Sequence, residues 1–172
     1  SDVYKRQIIG SSAKPLLVDT GQGIESYLPL LRQAMRERGA EGFQEIVLTH
    51  AHPDHNGGIE HVCAEYGDLR VTKKPWPELD REFDINPIDD EDVVVTDGAT
   101  LQAIWTPGHA RDHLCFYIPE DRALITGDVV LGAGTTVIPP DGDLGDYIRS
   151  LHRLLDFDAD VLYPAHGPRI LN

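Results

Sequence analysis

Cysteine, methionine and long hydrophobic runs are scarce in this chain of 172 residues, which contains two cysteines and one methionine. Cys63 and Cys115 lie in different segments and match no metal-binding spacing, so we interpret both as small buried side chains. Such cysteines favour a reducing compartment, either a bacterial cytoplasm or one such as the mitochondrial matrix. No segment reaches the length of a transmembrane helix or reads as a signal peptide, so we expect no membrane association.

Basic residues are also few, because 15 lysines and arginines stand against 29 acidic residues and give a net charge of −14. Nucleic-acid binding normally uses clustered basic side chains to neutralise phosphates. The basic clusters are Arg32, Arg36 and Arg38 on a predicted helix and Lys73-Lys74 in a predicted loop. We interpret both as solvated charge. The sequence therefore predicts no strong basic nucleic-acid footprint, and it does not predict the oligomeric state.

Four side chains of metal-ligand type follow a short apolar stretch, namely His50, His52, Asp54 and His55. Residues two apart in an extended segment face the same side, so His50 and His52 can converge on one ion. Asp54 and His55 lie beyond the extended part, where a turn can direct them to a second ion. Imidazole nitrogen and carboxylate oxygen suit zinc and similar divalent metals. The alternative is a histidine cluster that caps a helix.

Three more residues of the same types follow strand-like apolar stretches further along the chain. Each stretch ends in a tight turn with glycine or proline, and the ligand-type residue lies at that turn. Open α/β architectures place their functional sites at strand ends in this way. The segments are 101–106 followed by His109, 122–126 followed by Asp128, and 160–163 followed by His166. We expect these three residues to complete one site with the first four.

The ordered set of ligands resembles the metallo-β-lactamase superfamily of binuclear metallohydrolases. Stretches 108–113, 127–137 and 163–168 are similar to its beta-lactamase-like protein 2 subgroup, which includes a mitochondrial endoribonuclease acting on single-stranded RNA. The resemblance implies an α/β fold, the αββα sandwich of the superfamily. It also implies that residues 8–172 are the hydrolase domain. Residues 1–7 fit no expected strand, so we interpret them as a non-native scar. The subgroup has further N-terminal strands and a C-terminal helical region, so we expect a fragment that lacks both.

The resemblance further implies two divalent metal ions as cofactors and a role for each ligand. His50, His52 and His109 would hold the first ion, Asp54, His55 and His166 the second, and Asp128 would bridge both. Zinc is the expected metal, with iron or manganese as alternatives because the same ligands accept them. A hydroxide bridging the ions would be the nucleophile, oriented by the catalytic residue Asp54 and held through Asp128.

Other polar residues near the ligands have supporting roles in this interpretation. His113 is expected to be a catalytic residue that supports the ligands or faces the substrate, or alternatively a hydrogen-bonded structural histidine. Asp19 is assigned to turn geometry and site support without direct metal contact. The small residues of 132–136 are expected to set the substrate cleft together with His113 and to allow close approach of the substrate.

Departures from other branches of the superfamily narrow the chemistry. His55 stands where many true β-lactamases carry arginine, and Asp128 stands where they carry cysteine, so antibiotic hydrolysis is not expected. His52 stands where oxygen-reducing flavodiiron proteins carry glutamate, which argues against a redox role. The remaining reactions are hydrolysis of a phosphodiester, a thioester or a lactone. The substrate would be single-stranded RNA, or a small molecule such as a thioester if the enzyme is glyoxalase II-like. A binding module that has lost catalysis is the alternative outside the enzymes.

Apolar periodicity predicts an alternation of strands and helices along the chain. Helices are predicted at 24–38, 57–66 and 144–155, where apolar residues recur with the spacing of one helical face. Strands are predicted at 16–20, 46–49, 93–95, 101–106, 114–118, 124–126 and 160–163. This order fits sheets covered by helices on the outside, with the ligands at strand ends.

Overall fold

Two β-sheets form the centre of the protein, whose computed structural model describes residues 7–80 and 84–171. The strands of the first sheet are β1 (Gln7–Ile9), β2 (Leu16–Val18), β3 (Ile46–Val47), β4 (Val71–Lys73) and β5 (Ile85–Pro87). They lie side by side in chain order. Strand β1 is antiparallel to β2, and the following pairs are parallel. The parallel strands bring their carboxyl ends to one edge of the sheet.

The second sheet has six strands and is mostly antiparallel. Its strands are β6 (Val93–Thr96), β7 (Ala99–Trp105), β8 (Leu114–Ile118), β9 (Ala123–Gly127), β10 (Val161–Pro164) and β11 (Ile170–Leu171). They also lie in chain order, and only the β9–β10 pair is parallel. The chain after β9 and the chain after β10 therefore leave the sheet at the same edge.

The largest apolar cluster lies between the two sheets, because alternate residues of each strand point to opposite faces. Leu16 and Val18 of β2 belong to this inner cluster together with Phe116 of β8 and Ile125 of β9. Leu17, between the first two, belongs to a separate cluster on the outer face of the first sheet. Each buried strand thus presents one face to the other sheet and one face to a helical layer.

The helices cover the outer faces of the two sheets. They are α1 (Tyr27–Arg38), α2 (Pro53–Asn56), α3 (Ile59–Tyr66) and α4 (Leu144–Leu154), with a 3₁₀ turn at Pro119–Asp121. Leu31 of α1 and Val62 of α3 pack on the first sheet, where Leu17 belongs to the same cluster. Leu154 of α4 packs on the second sheet with Leu124. The predicted αββα sandwich is therefore confirmed.

The predicted helices differ from the observed ones where glycines interrupt the chain. Helix α1 begins at Tyr27 rather than Ile24, because Gly23 is left-handed (φ 73°) and the chain is not yet helical after it. The helix predicted at 57–66 is divided into α2 and α3 by Gly57-Gly58. A Cβ atom at Gly58 would overlap the carbonyl group of Thr20, so this pair allows the close backbone approach expected from the sequence.

Four short strands were not predicted, since β1, β4, β5 and β11 contain only two or three residues each. Gln7, the last residue of the predicted scar, begins β1 and pairs with Val18. Residues 1–6 of the predicted scar lie outside the described residues. Within 7–80 and 84–171, no helix is both long enough and apolar enough to cross a membrane.

Candidate metal centre

The structure brings all seven predicted ligands together at one edge of the sandwich. They form a first set of His50, His52 and His109 and a second set of Asp54, His55, Asp128 and His166. Within each set, one ligand atom from every member lies within 4.8 Å of the others. The sets have the members expected from the sequence, with Asp128 grouped beside the second. Strand ends position these ligands, since β3, β7, β9 and β10 each lead into a ligand-bearing segment.

Three imidazole nitrogens converge in the first set. His52 Nδ1 lies 3.0 Å from both His50 Nε2 and His109 Nε2. On the other side of the ring, His109 Nδ1 donates a hydrogen bond to the carbonyl oxygen of Val137 at 2.7 Å. This hydrogen bond leaves the lone pair of His109 Nε2 directed at the set, as a metal ligand requires. One proton on His52 Nδ1 can satisfy only one of its two neighbours, whereas a cation can accept all three lone pairs.

Two carboxylates and two imidazoles converge in the second set. His166 Nε2 lies 3.2 Å from Asp54 Oδ2 and 3.3 Å from Asp128 Oδ1. His55 Nε2 lies 3.4 Å from the same Asp128 Oδ1. The side chains of Asp54 and His166 remain about a quarter exposed, at 25% and 23%, whereas His55 is 2% exposed. Solvent and substrate therefore reach this edge from the side of Asp54 and His166.

Asp128 lies between the two sets, directly after β9. Its Oδ1 atom faces His55 and His166, and its Oδ2 atom lies 3.6 Å from His109 Nε2 in the first set. The two oxygens of one carboxylate thus face different sets. A carboxylate in this position is able to contact an ion in each set.

A buried support formed by Asp19 and Thr49 lies behind both sets. Asp19 Oδ2 accepts a hydrogen bond from His55 Nδ1 at 2.8 Å. The Thr49 hydroxyl lies 3.0 Å from the same carboxylate oxygen and 3.0 Å from His50 Nδ1. If the hydroxyl donates to Asp19, it accepts from His50 Nδ1, so in their neutral forms His50 and His55 both carry the ring lone pair on Nε2. This geometry agrees with the supporting role expected for Asp19.

The charges and unpaired atoms of this edge fit bound cations. Among the described residues, His55 Nε2 and Asp128 Oδ1 are buried without a hydrogen-bond partner. Buried polar atoms normally have partners, and these two face each other at 3.4 Å. Burial lowers the pKa of His55, but the Asp19 and Asp128 carboxylates outweigh it and raise this pKa to about 10. A set of groups that stabilises an imidazolium so strongly also attracts a metal cation.

His113 does not face a substrate cleft, because its side chain is fully buried. Its Nε2 atom accepts a hydrogen bond from the backbone N–H of Asp128 at 3.1 Å, and its Nδ1 atom lies 2.8 Å from the Thr106 hydroxyl. Burial lowers the pKa of His113 to about 3, so the ring is neutral near pH 7. The expected substrate contact of His113 is therefore wrong, and the ring instead supports the backbone that carries Asp128.

The segment 132–136 also has a different role from the expected one. A Cβ atom at Gly132 would overlap the carbonyl oxygen of Pro168, and the Gly132 N–H donates to the His166 carbonyl at 2.8 Å. The Thr136 hydroxyl donates to the Asp128 carbonyl at 2.8 Å. The small residue at 132 therefore permits packing of two ligand-bearing loops rather than close approach of a substrate. Gly134, which has open space around it, is the glycine of this segment that fits the expected cleft.

Lys73 was assigned to a solvated loop, and that interpretation is wrong. Lys73 ends β4 and its side chain is 2% exposed. Its ammonium group is paired with Asp80 at 2.7 Å and Asp112 at 3.1 Å. The sequence Lys73-Lys74 does not indicate that Lys73 is buried, because its partners Asp80 and Asp112 are not adjacent to it in the chain. Lys74, in contrast, pairs with the exposed Asp89.

The sequence of this chain is similar to a family of known proteins. The family model described as the metallo-beta-lactamase superfamily matches residues 8–166. A beta-lactamase-like protein 2 homolog of Caenorhabditis elegans is 40% identical over 169 residues, covering 95% of this chain and 55% of that protein. An atrochrysone carboxyl ACP thioesterase of Emericella nidulans is 38% identical over 166 residues, covering 96% and 52%. The chain spans about half the length of these curated relatives.

Solved structures show the same architecture. TTHA1623 in a di-iron-bound form has a TM-score of 0.77 and 24% identity to this chain. The similarity covers 98% of this chain and 91% of that one. At this identity the comparison shows that the fold is shared.

Proposed function

Since this chain belongs to the metallo-beta-lactamase superfamily, we propose that it is a hydrolase that works with two divalent metal ions. The observation that carries this proposal is the position of Asp128, whose two carboxylate oxygens face the two ligand sets. All seven ligand-type residues converge in those sets. A complete set of ligands favours an enzyme over a binding module that has lost catalysis. The chain spans about half the length of its curated relatives, and all seven ligand-type residues lie within it.

Zinc is the proposed metal, and iron and manganese are the alternatives. The first set offers three imidazoles, a donor type suited to zinc, iron and nickel alike, and the second adds two carboxylates. TTHA1623, which shares the fold, has been solved with two irons. Because such ligands do not select strongly among these metals, the supply in the cell contributes to the choice.

Two ions at this edge would lower the pKa of a bound water toward neutrality and stabilise negative charge on the substrate. The nucleophile is therefore proposed to be a water-derived hydroxide between the ions, and no serine or cysteine nucleophile is needed. Asp54 reaches the second set through Oδ2 and is a quarter exposed. That position suits the orientation of the nucleophile beside an incoming substrate. Asp128 is deeper and holds the two sets at a fixed separation.

The proposed substrate is a thioester, either small or bound to a carrier protein. The net charge of −14 disfavours a long polyanionic substrate, because few basic side chains are available to neutralise phosphates. The relative from Emericella nidulans is named a thioesterase. Hydrolysis of single-stranded RNA is the second candidate, and the resemblance to the beta-lactamase-like protein 2 subgroup favours it.

Activity profiling of the full-length, metal-loaded protein tests this proposal. Thioester, lactone, phosphodiester and short single-stranded RNA substrates would be compared, with Asp128→Ala as the control for contaminating hydrolases. We expect thioester turnover that disappears in the variant. The Michaelis constant for a neutral thioester should hardly change between low and moderate ionic strength, whereas RNA binding should weaken steeply as counterions compete. Efficient RNA cleavage with a steep salt response, and no thioester turnover, would overturn the thioester assignment.

A further inference from the structure

A buried ion cluster involves the connection between β7 and β8, which also carries His109, and its members are not metal ligands. The Lys73 ammonium group contacts three oxygens: the Lys74 carbonyl at 2.6 Å, Asp80 Oδ1 at 2.7 Å and Asp112 Oδ2 at 3.1 Å. The Lys74 carbonyl and Asp80 accept hydrogen bonds from it, and Asp112 adds a second carboxylate charge within ion-pair distance. Burial of a lysine head group at 2% exposure is costly unless it is paired in this way.

Asp112 is the less satisfied member of the cluster. Its side chain is fully buried, and within the described chain neither of its oxygens has a hydrogen-bond partner that meets normal geometry. Burial raises the pKa of Asp112, although the Lys73 ammonium acts in the opposite direction. Asp80 is better supported, since it also accepts a hydrogen bond from the Trp76 N–H. The Lys73 contact is therefore the main interaction that favours a carboxylate at position 112.

The two residues belong to different sheets. Lys73 ends β4 in the first sheet, and Asp112 lies in the connection between β7 and β8 of the second sheet, which also carries His109. Two other anchors of this connection stay on the side of the second sheet. Ser150 of α4 donates to the Pro107 carbonyl at 2.7 Å, and Trp105 Nε1 donates to the Arg111 carbonyl at 2.9 Å. Lys73 thus links the connection to the first sheet.

We propose that Lys73 and Asp112 are a positioning pair that holds His109 of the second sheet against His50 and His52 of the first. The inference rests on the proposed metal-dependent function, because the benefit of the pair is a correctly spaced first set. His109 is the member of that set that comes from the second sheet, so its position depends on how the β7–β8 connection is tied across the sandwich. Groups that orient metal ligands from behind commonly change metal affinity by about 10- to 100-fold when removed.

Asp112→Leu is the most informative change. It removes the carboxylate while Lys73 keeps Asp80 and the Lys74 carbonyl, so the ammonium group remains paired. Asp112→Asn is the conservative variant, because its amide oxygen keeps a polar atom facing the Lys73 ammonium group while the charge is removed. Glu45→Leu is the matched control, since Glu45 is a buried carboxylate (3% exposed) that pairs with Arg70 at 3.0 Å outside the β7–β8 connection.

Metal affinity of the first set would be measured in an Asp54→Ala/His166→Ala background, in which only that set is complete. Competition between the protein and a chromophoric chelator for cobalt(II) gives the dissociation constant, and the cobalt absorption spectrum reports the geometry. We expect Asp112→Leu to weaken cobalt binding about 10- to 100-fold and to change the spectrum. Asp112→Asn should restore most of the affinity, and Glu45→Leu should leave it unchanged even if it lowers thermal stability.

Equal cobalt affinities for Asp112→Leu and its background would overturn the positioning role while leaving the proposed function intact. If the background and the wild-type protein both fail to bind metal, the proposed function fails instead. Hydrogen exchange of residues 107–113 in the metal-free protein then decides the role of the pair. Faster exchange in Asp112→Leu but not in Glu45→Leu supports the link between the sheets, and equal exchange refutes it. If Asp112→Leu does not fold, Lys73→Gln replaces it in the same measurements, because glutamine can still donate to Asp80.

Discussion

Asp19 Oδ2 accepts a hydrogen bond from His55 Nδ1 at 2.8 Å, and both residues are buried. The other carboxylate oxygen of Asp19 accepts a hydrogen bond from the Thr49 N–H at 2.9 Å, and Thr49 immediately precedes His50 in the chain. One side chain thus fixes a ligand of the second set directly and a ligand of the first set through its neighbour. Asp19 adopts a left-handed backbone conformation (φ 60°), which aspartate and asparagine tolerate better than most residues.

Asp19→Asn should weaken metal binding by about 10- to 100-fold with little change in backbone strain. Asparagine tolerates the left-handed conformation, but its amide can offer only one acceptor oxygen to the Thr49 and His55 donors. Chelator competition with zinc measures the affinity, and Asp97→Asn serves as a control outside the metal centre. An affinity equal to that of the wild-type protein would show that Asp19 does not orient the ligands.

Asp128→Ala should abolish hydrolysis while leaving the fold largely intact. The change removes the one carboxylate whose oxygens face both ligand sets, so the two ions lose their shared contact. A loss of at least about 10² in kcat is expected when such a preorganised group is removed. Steady-state kinetics at saturating zinc and a circular dichroism spectrum check the two parts of this prediction. Near-wild-type turnover would show that Asp128 does not bridge the ions.

His113→Gln should retain more activity than His113→Leu. Glutamine can present an oxygen to the Asp128 N–H in place of His113 Nε2, whereas leucine leaves this buried donor unpaired. An unpaired buried donor costs about 1–3 kcal/mol of stability. Thermal unfolding and kcat would be measured for both variants. If both lose activity equally while remaining stable, His113 takes part in the chemistry rather than supporting Asp128.

Cys115 should resist thiol reagents in the folded protein. Its side chain is fully buried, and burial raises the pKa of its thiol to about 12, so almost no thiolate exists near pH 8. Cys63 is partly exposed on α3 and should react first. Peptide mass spectrometry after labelling at about pH 8 locates the modified residue, and labelling in denaturant provides the control. Rapid labelling of Cys115 under native conditions would contradict the burial described for β8.

Much of the site could be predicted because each ligand follows a strand end in the sequence. His50 and His166 are examples, since the apolar stretch before each one indicates a strand and the following residues indicate a turn. The packing of the sandwich also follows from alternation, as Leu16 and Leu17 illustrate by pointing to opposite faces. Both patterns are local, so a few consecutive residues are enough to predict them.

Features that depend on distant partners could not be predicted in the same way. Lys73 is buried because Asp80 and Asp112 meet it in the folded chain, and nothing adjacent to it in sequence indicates this. The sequence leaves ligand support, substrate contact and a structural role open for His113, because its partner Asp128 is brought to it only by the β8–β9 pairing. Strands β4 and β5, with three residues each, are stabilised by their neighbours rather than by their own length.

The number of metal ions bound per chain tests the central claim most directly. Inductively coupled plasma mass spectrometry would be applied to the full-length protein after zinc supplementation and removal of unbound metal. The two ligand sets predict about two ions per chain, and Asp128→Ala should reduce this value. Fewer than one ion per chain would contradict the binuclear centre and, with it, the proposed metal-dependent hydrolysis.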